Sequence, residues 1–193
     1  ETHPLRNVIE EIRKSALRSS NLTRQLQAFA RRQPMSPQPV DIKASIEGMS
    51  SLLCRLLGND IRLEWVPEPG VGAVLLDPGQ IDQVVVNLCI NARDALAGSG
   101  TIRIEARNVR LSPAEAARIQ EIAPGDFIQL TIRDNGPGIP AEIQDRIFDP
   151  FFTTKPSDKG TGLGLAIVYA IVRQSGGGIR VESEPGQGAA FHI

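Results

Sequence analysis

From Leu5 to Arg32 the apolar positions recur mostly every three to four residues. Leu5, Val8, Ile12, Ala16, Leu22, Leu26 and Phe29 share one stripe, with Arg, Lys, Ser and Asn between them. The spacing predicts one long helix, uninterrupted by Gly or Pro and roughly 42 Å long. A small domain offers too little surface to cover such a stripe, so an antiparallel neighbour or a dimer partner is expected against it. The basic residues of the segment read as its solvated face rather than as a binding surface. Pro34, Pro37 and Pro39 then break the pattern, because proline lacks an amide hydrogen and disfavours helix in the residue before it. The expected division is a helical segment over 1–33, a linker over 34–40 and a second domain over 41–193.

Beyond the prolines the periods alternate. Asp41 is placed to cap a helix over 42–57 whose apolar face is Ile42, Ile46, Met49, Leu52, Leu53 and Leu56, with Gly58 as its stop. Residues 61–66 and 72–76 read as two strands joined by a turn at Pro69-Gly70. A helix is expected over 78–97, strands over 101–109 and 127–133, and a short surface helix over 112–122 between them. A further helix over 163–174 and a strand pair over 178–184 and 188–193 follow. Helices and strands mix without regular βαβ alternation. An α+β protein is therefore expected, a two-layer α/β sandwich with a mostly antiparallel sheet and helices on one face.

Composition narrows the partners. With 193 residues there is room for one well-packed domain and an appendage. The hydrophobic and charged fractions, 41% and 22%, are ordinary for a globular chain, and a net charge of −1 gives no reason to expect nucleic acid or an anionic membrane. No apolar run has the length of a membrane span and no signal peptide is present, so no membrane contact and a cytoplasmic location are expected for this stretch. Cys54 and Cys89 lie in apolar helical patterns without metal-ligand spacing and read as buried free thiols. The chain opens on Glu1 and closes inside a strand-like run, as expected of a piece of something longer.

Four polar or glycine-rich motifs stand out against this background. Asn87, Asn91 and Asp94 are spaced four and three apart, so a helix presents all of them on one face, opposite Ile81, Val85, Leu88, Ala92 and Ala95. Amide oxygens are hard ligands suited to Mg²⁺. Asp134-Asn-Gly-Pro-Gly138 closes a strand, where a held carboxylate can accept a hydrogen bond from an exocyclic amine and glycines let a flat ring approach the backbone. Residues 147–155, Ile-Phe-Asp-Pro-Phe-Phe-Thr-Thr-Lys, lead into the polar stretch Lys155–Lys159, which lacks apolar anchors and is expected to close over a ligand. Gly160-Thr-Gly-Leu-Gly164 feeds a helix N-terminus, which presents free amides to phosphate, with Lys155 and Lys159 available to its charge. It is neither a P-loop nor a dinucleotide fingerprint, lacking the Lys-Ser/Thr ending and a preceding strand.

In this order the motifs resemble the N, G1, F and G2 boxes of the ATP-binding catalytic domain of bacterial sensor histidine kinases, a family related to gyrase B, Hsp90, MutL and the mitochondrial dehydrogenase kinases. The resemblance covers residues 41–193. It implies the Bergerat type of α/β sandwich, with ATP and Mg²⁺ held beneath a lid. It implies metal binding by Asn91 and Asn87, and adenine reading by Asp134 with Gly136, Gly138 and Ile139 beside it. It also implies nucleotide contacts from Asp94, from Phe152, Thr153, Thr154, Lys155 and Lys159 at the lid, and from Gly160, Thr161, Gly162, Leu163, Gly164 and Leu165 at the triphosphate. Residues 1–33 then resemble the second helix of the dimerisation and phosphotransfer hairpin, which implies a homodimer through that segment and a response regulator receiver domain as partner.

The departures carry chemistry. Gyrase-like ATPases have glutamate at the position of Asn87, and an amide takes no proton at neutral pH, which favours transfer to a protein acceptor over hydrolysis. Many relatives have Lys where Asp94 stands, and often a hydroxyl residue where Ala190 sits. The two histidines, His3 and His192, fit the phosphoacceptor pattern poorly, so the acceptor is expected outside this chain and the chain alone is not expected to phosphorylate itself. The alternatives are a serine-directed kinase of the same superfamily and a nucleotide-binding regulatory module without turnover.

Overall fold

Asp41 begins the fold by capping a helix. In the computed structural model, which describes residues 36–119, 122–156 and 160–193, its carboxylate accepts the N–H of Ala44 at 3.0 Å and opens α1 (Ile42–Leu57). Ile42, Ile46, Met49, Leu53 and Leu57 form the buried face of α1. Leu57 takes the place expected of Leu56, which is only half-buried, and Leu52 is exposed, because the stripe advances by four, three, four and four residues. Cys54 also lies on the exposed side, whereas Cys89 is buried as expected. The helix expected over 5–32, and the rest of the segment 1–33, lie outside the described residues.

The main sheet has five strands in the order β2-β4-β5-β7-β6: β2 (Ile61–Pro67), β4 (Gly100–Leu111), β5 (Gly125–Asp134), β7 (Ala189–His192) and β6 (Arg180–Ser183). All neighbours are antiparallel except β2 and β4. Parallel strands need a crossover, supplied here by β3 (Ala73–Leu76) and α2 (Pro78–Leu96). The hairpin expected between β2 and β3 does not form. Strand β3 pairs instead with β1 (Gln38–Asp41) in a separate two-stranded ribbon. The Pro-Gly turn is pinned to β4, where Asn108 accepts the N–H of Gly72 at 3.1 Å and donates to the carbonyl of Gly70 at 2.8 Å. Residues 38–40, read as the end of the linker, thus already belong to a strand. Pro39 is tolerated there because the ribbon leaves its missing donor at an edge.

One face of the sheet is apolar. Ile102, Ile104 and Ala106 of β4, Leu130 and Ile132 of β5, and Ala189 and Phe191 of β7 are buried against the helices, the alternation expected of a sheet covered on one side. Helix α2 lies between α1 and α5 (Gly164–Gln174) and against β4 and β5. Two single-turn helices complete the set. The first, α3 (Pro113–Ala116), is shorter than expected and is closed by a capping box between Ser112 and Glu115. The second is α4 (Ala141–Gln144). The result is the two-layer α/β sandwich expected.

Candidate functional site

Helix α2 is capped by Asp77, whose carboxylate accepts the N–H of Gly79 at 3.0 Å, and Pro78 at its first turn is already set for helix. Its buried face is Ile81, Val84, Val85, Leu88, Cys89, Ala92 and Leu96. Ala95, expected there, is exposed. Burying that face turns Asn87 and Asn91 toward the start of α5. Asn87 Nδ2 donates to the carbonyl of Gly164 at 3.4 Å, and a Cβ on Gly164 would lie 3.6 Å from Asn91 Nδ2. The first and fourth motifs, more than seventy residues apart, meet here.

Glycine makes the second half of this contact possible. Gly162 has φ 66°, and a Cβ on it would lie 2.3 Å from the carbonyl carbon of Phe151. Its carbonyl accepts the N–H of Phe151 at 2.9 Å. Leu163 is completely buried and Leu165 packs against the core, so these two leucines anchor the start of α5 through their side chains. Thr161 accepts the N–H of Leu163 at 3.4 Å.

The third motif is anchored at one end. Ile147 is buried, and Phe148 stacks 5.7 Å from Tyr169 and edge-on 6.5 Å from Phe191. Phe152 lies beneath Arg146, whose guanidinium is 4.6 Å from the ring centre. Thr153 accepts the N–H of Lys155 at 3.1 Å, and Thr154 is exposed. Gly160 returns against Thr153 and Lys155, where a Cβ would lie 2.5 Å from Thr153 Oγ1. Lys155 Nζ lies 2.7 Å from Asp94 Oδ2, so the motif reaches across to α2. Lys159 lies outside the described residues.

Asp134 ends β5 and is one of two buried polar residues among those described. Its Oδ1 accepts the N–H of Gly136 at 2.9 Å. Burial raises its carboxyl above the ordinary range, against the lowering effects of the Gly136 and Ala189 amides and of Arg133. A carboxylate held there keeps acceptor capacity for a further donor. The loop after it is tied down on both sides. Asn135 accepts the N–H of Thr101 at 2.8 Å. Gly138, at φ 76°, runs so close to the β6–β7 turn that a Cβ would lie 2.2 Å from the Glu184 carbonyl oxygen. Ile139 donates its N–H to Ser183 Oγ at 2.8 Å, which in turn donates to the Gly188 carbonyl at 2.7 Å.

Several supporting residues were not picked out from the sequence. Ser183 and Gln144 hold the loop after Asp134, the latter donating to the Ile139 and Ser183 carbonyls at 2.8 and 3.0 Å. The small residue beside Asp134 is Ala189, whose N–H reaches the carboxylate. Ala190, expected in that place, points to the other side of the sheet from the core residues Ala189 and Phe191. No local sequence signal marks these, since each acts through pairing of distant strands. A cavity of about 740 Å³ opens elsewhere, lined by Ile81, Val84, Ile128, Ile171 and Val172 among others, and contains none of the candidate residues.

The arrangement combines amides facing a glycine turn, an ammonium group, and a buried carboxylate beside a glycine loop. Among the described residues no cluster of three or more His, Cys, Asp or Glu could hold a metal, so a divalent ion at this site would depend on amide oxygens and on oxygens of its ligand. The fold is that of a family of ATPase domains. Residues 76–193 match the histidine kinase-, DNA gyrase B-, and HSP90-like ATPases, and the chain belongs to that family.

Sensor kinase CckA of Brucella abortus is 42% identical over 185 residues, which cover 96% of this chain and 20% of that protein. Sensor histidine kinase ZraS of Salmonella typhi is 31% identical over 194 residues, covering 100% of this chain and 38% of that one. The chain therefore spans about a fifth to two fifths of these relatives. Among solved structures, full-length ShkA in complex with AMPPNP superposes with a TM-score of 0.76 at 25% identity, over 99% of this chain and 38% of that one. The mycobacterial sensor histidine kinase MprB gives 0.63 at 29% identity, over 81% and 95%. No helix among the described residues is long and apolar enough to cross a membrane.

Proposed function

We propose that this chain is the ATP-binding kinase part of a two-component sensor histidine kinase, and that it donates the γ-phosphoryl of ATP to a histidine on a separate helical segment. The observation that carries the reading is the pairing of a buried carboxylate, Asp134, at one end of the site with the Asn87–Gly164 contact at the other. Asp134 accepts the adenine amine, and an analogue without that amine leaves the carboxylate unpaired. Asn91 and Asn87 offer amide oxygens to Mg²⁺, which when bound neutralises phosphate charge. The glycine turn over 160–164 presents backbone to the phosphates.

Asn87 supports transfer to a protein rather than to water. Its amide donates to the Gly164 carbonyl and has no basic lone pair for a proton. His192 is unsuited as acceptor. It is enclosed on the sheet by Gln129, Thr131 and Glu182, and burial lowers its pKa. His3 lies outside the described residues. The reading includes a homodimer through residues 1–33, and a receiver domain of a response regulator as the next phosphoryl acceptor.

The test supplies γ-labelled Mg·ATP together with a separate acceptor-helix polypeptide carrying a histidine. Acid-labile, alkali-stable label on that polypeptide, transferable to a receiver domain, is the expected result. Label on serine, or phosphate released to water without labelling of the polypeptide, contradicts it.

A further inference from the structure

Asp94 and Lys155 form an ion pair that joins the helix carrying Asn87 and Asn91 to the loop that precedes the glycine turn. Lys155 Nζ is 2.7 Å from Asp94 Oδ2, with 32% and 26% of the two side chains exposed. The other carboxylate oxygen, Oδ1, is already held by Arg93, whose Nε and Nη2 lie 3.0 and 2.7 Å away. Arg93 is itself fixed, donating through Nη1 to the Leu56 carbonyl at 3.0 Å. The three groups therefore form a chain anchored on α1, with two cations to one anion. Arg93 offsets the charge of Asp94, and the ammonium of Lys155 remains as net positive charge. Only one of the three N–H donors of that ammonium is needed for Asp94.

Its place matters more than its charge. Asp94 lies three residues beyond Asn91 on the same helix face, and Asn91 faces Gly164. The main chain of Lys155 is held by Thr153, and Gly160, the first residue of the glycine turn, packs against Lys155 Cβ. Asp94, which holds the ammonium, thus lies about one helical turn along α2 from Asn91. A lysine stem has four rotatable bonds, and ordering it on ligand binding costs entropy. Holding it in place beforehand removes that cost from the binding step.

We infer that Lys155 supplies the cation for the nucleotide's phosphates and that Asp94 is the positioning residue that aims it, with Arg93 offsetting its charge. This rests on the reading of the site as an ATP site. Burial alone would raise the Asp94 carboxyl, but the hydrogen bonds and charges of Lys155 and Arg93 outweigh it and hold the group below its ordinary range, so Asp94 is held as a carboxylate.

The test is a titration of the chain with adenosine, and with a non-hydrolysable ATP analogue plus Mg²⁺. Lys155→Met is expected to weaken the analogue about ten-fold with adenosine affinity retained, which also shows that the variant is folded. Lys155→Arg restores most of the loss. Asp94→Asn weakens the analogue in the native background and has no effect when combined with Lys155→Met. Equal weakening of both ligands by Lys155→Met, or no effect on either, overturns the role of Lys155. Tighter analogue binding by Asp94→Asn makes Asp94 a competitor of the phosphates and overturns its positioning role. Failure of the native chain to bind either ligand instead removes the ATP reading beneath.

Discussion

The side-chain amide of Asn87 donates to the carbonyl of Gly164 across 3.4 Å, bracing α2 against the first turn of α5. The contact needs a donor on α2, because a carbonyl faces it. Asn87→Asp removes the donor and sets a carboxylate against that carbonyl in a half-buried place. We predict a loss of about 1–3 kcal/mol in unfolding free energy, read from urea denaturation. A variant as stable as the native chain would show that the brace is absent in solution.

Asp134 makes the opposite prediction for stability. Its carboxyl is raised in the fold, so the folded state holds the proton more tightly than the unfolded one. The stabilising contribution is then full below the unfolded carboxyl's range and lost as pH rises through the folded value. Above that value the ionised group is a net cost. Asp134→Asn is expected to melt at or above the native temperature at pH 7, with the difference closing as the solution is acidified. Thermal melts over that range check the direction.

Gly138 permits the closest approach in the loop after Asp134. With φ 76° and the Glu184 carbonyl oxygen 2.2 Å from where a Cβ would lie, neither strain nor clash is relieved by moving a side chain. Gly138→Ala is expected to cost about 2–4 kcal/mol and to weaken ATP binding by displacing the loop. Gly186→Ala has nothing within 4 Å of the added Cβ but the same positive φ, and serves as the control for strain without clash. Equal losses in the two variants would place the whole effect in the backbone angle.

His192 sets a pH dependence of its own. Burial and the charge of Arg180 lower its pKa, against the raising effect of Glu182. The folded state therefore holds the proton less tightly than the unfolded one, and stability falls as pH drops through the ordinary histidine range. Replacing it, as His192→Gln, is expected to flatten the stability profile between about pH 8 and 5. An unchanged slope would assign the acid sensitivity to other groups.

Much of the site was legible in the sequence because its chemistry depends on side-chain identity at fixed spacing. Asn87 and Asn91 share a helix face wherever that helix packs, and an aspartate followed by glycines at a strand end needs no tertiary context to be noticed. Pairing partners were less legible. Strand β3 looked like the second half of a hairpin with β2, yet Asn108, far along the chain, holds the intervening turn and leaves β3 to β1. The one-residue difference between Ala189 and Ala190 is of the same kind, since adjacent strand residues face opposite sides and the register comes from β5. Ser183, Gln144 and Arg93 are ordinary polar residues whose roles exist only once distant segments meet. Leu52 and Cys54 show a milder limit: a helix stripe read from sequence can drift by one position around the helix.

The proposed ATP site depends on Asp134 reading the base. Calorimetric titration of a non-hydrolysable ATP analogue with Mg²⁺ into the native chain and into Asp134→Asn tests it most directly. Saturable binding by the native chain, weakened about 10–100-fold or more in the variant while its thermal stability is kept, is the predicted result. Undiminished affinity in Asp134→Asn would contradict it.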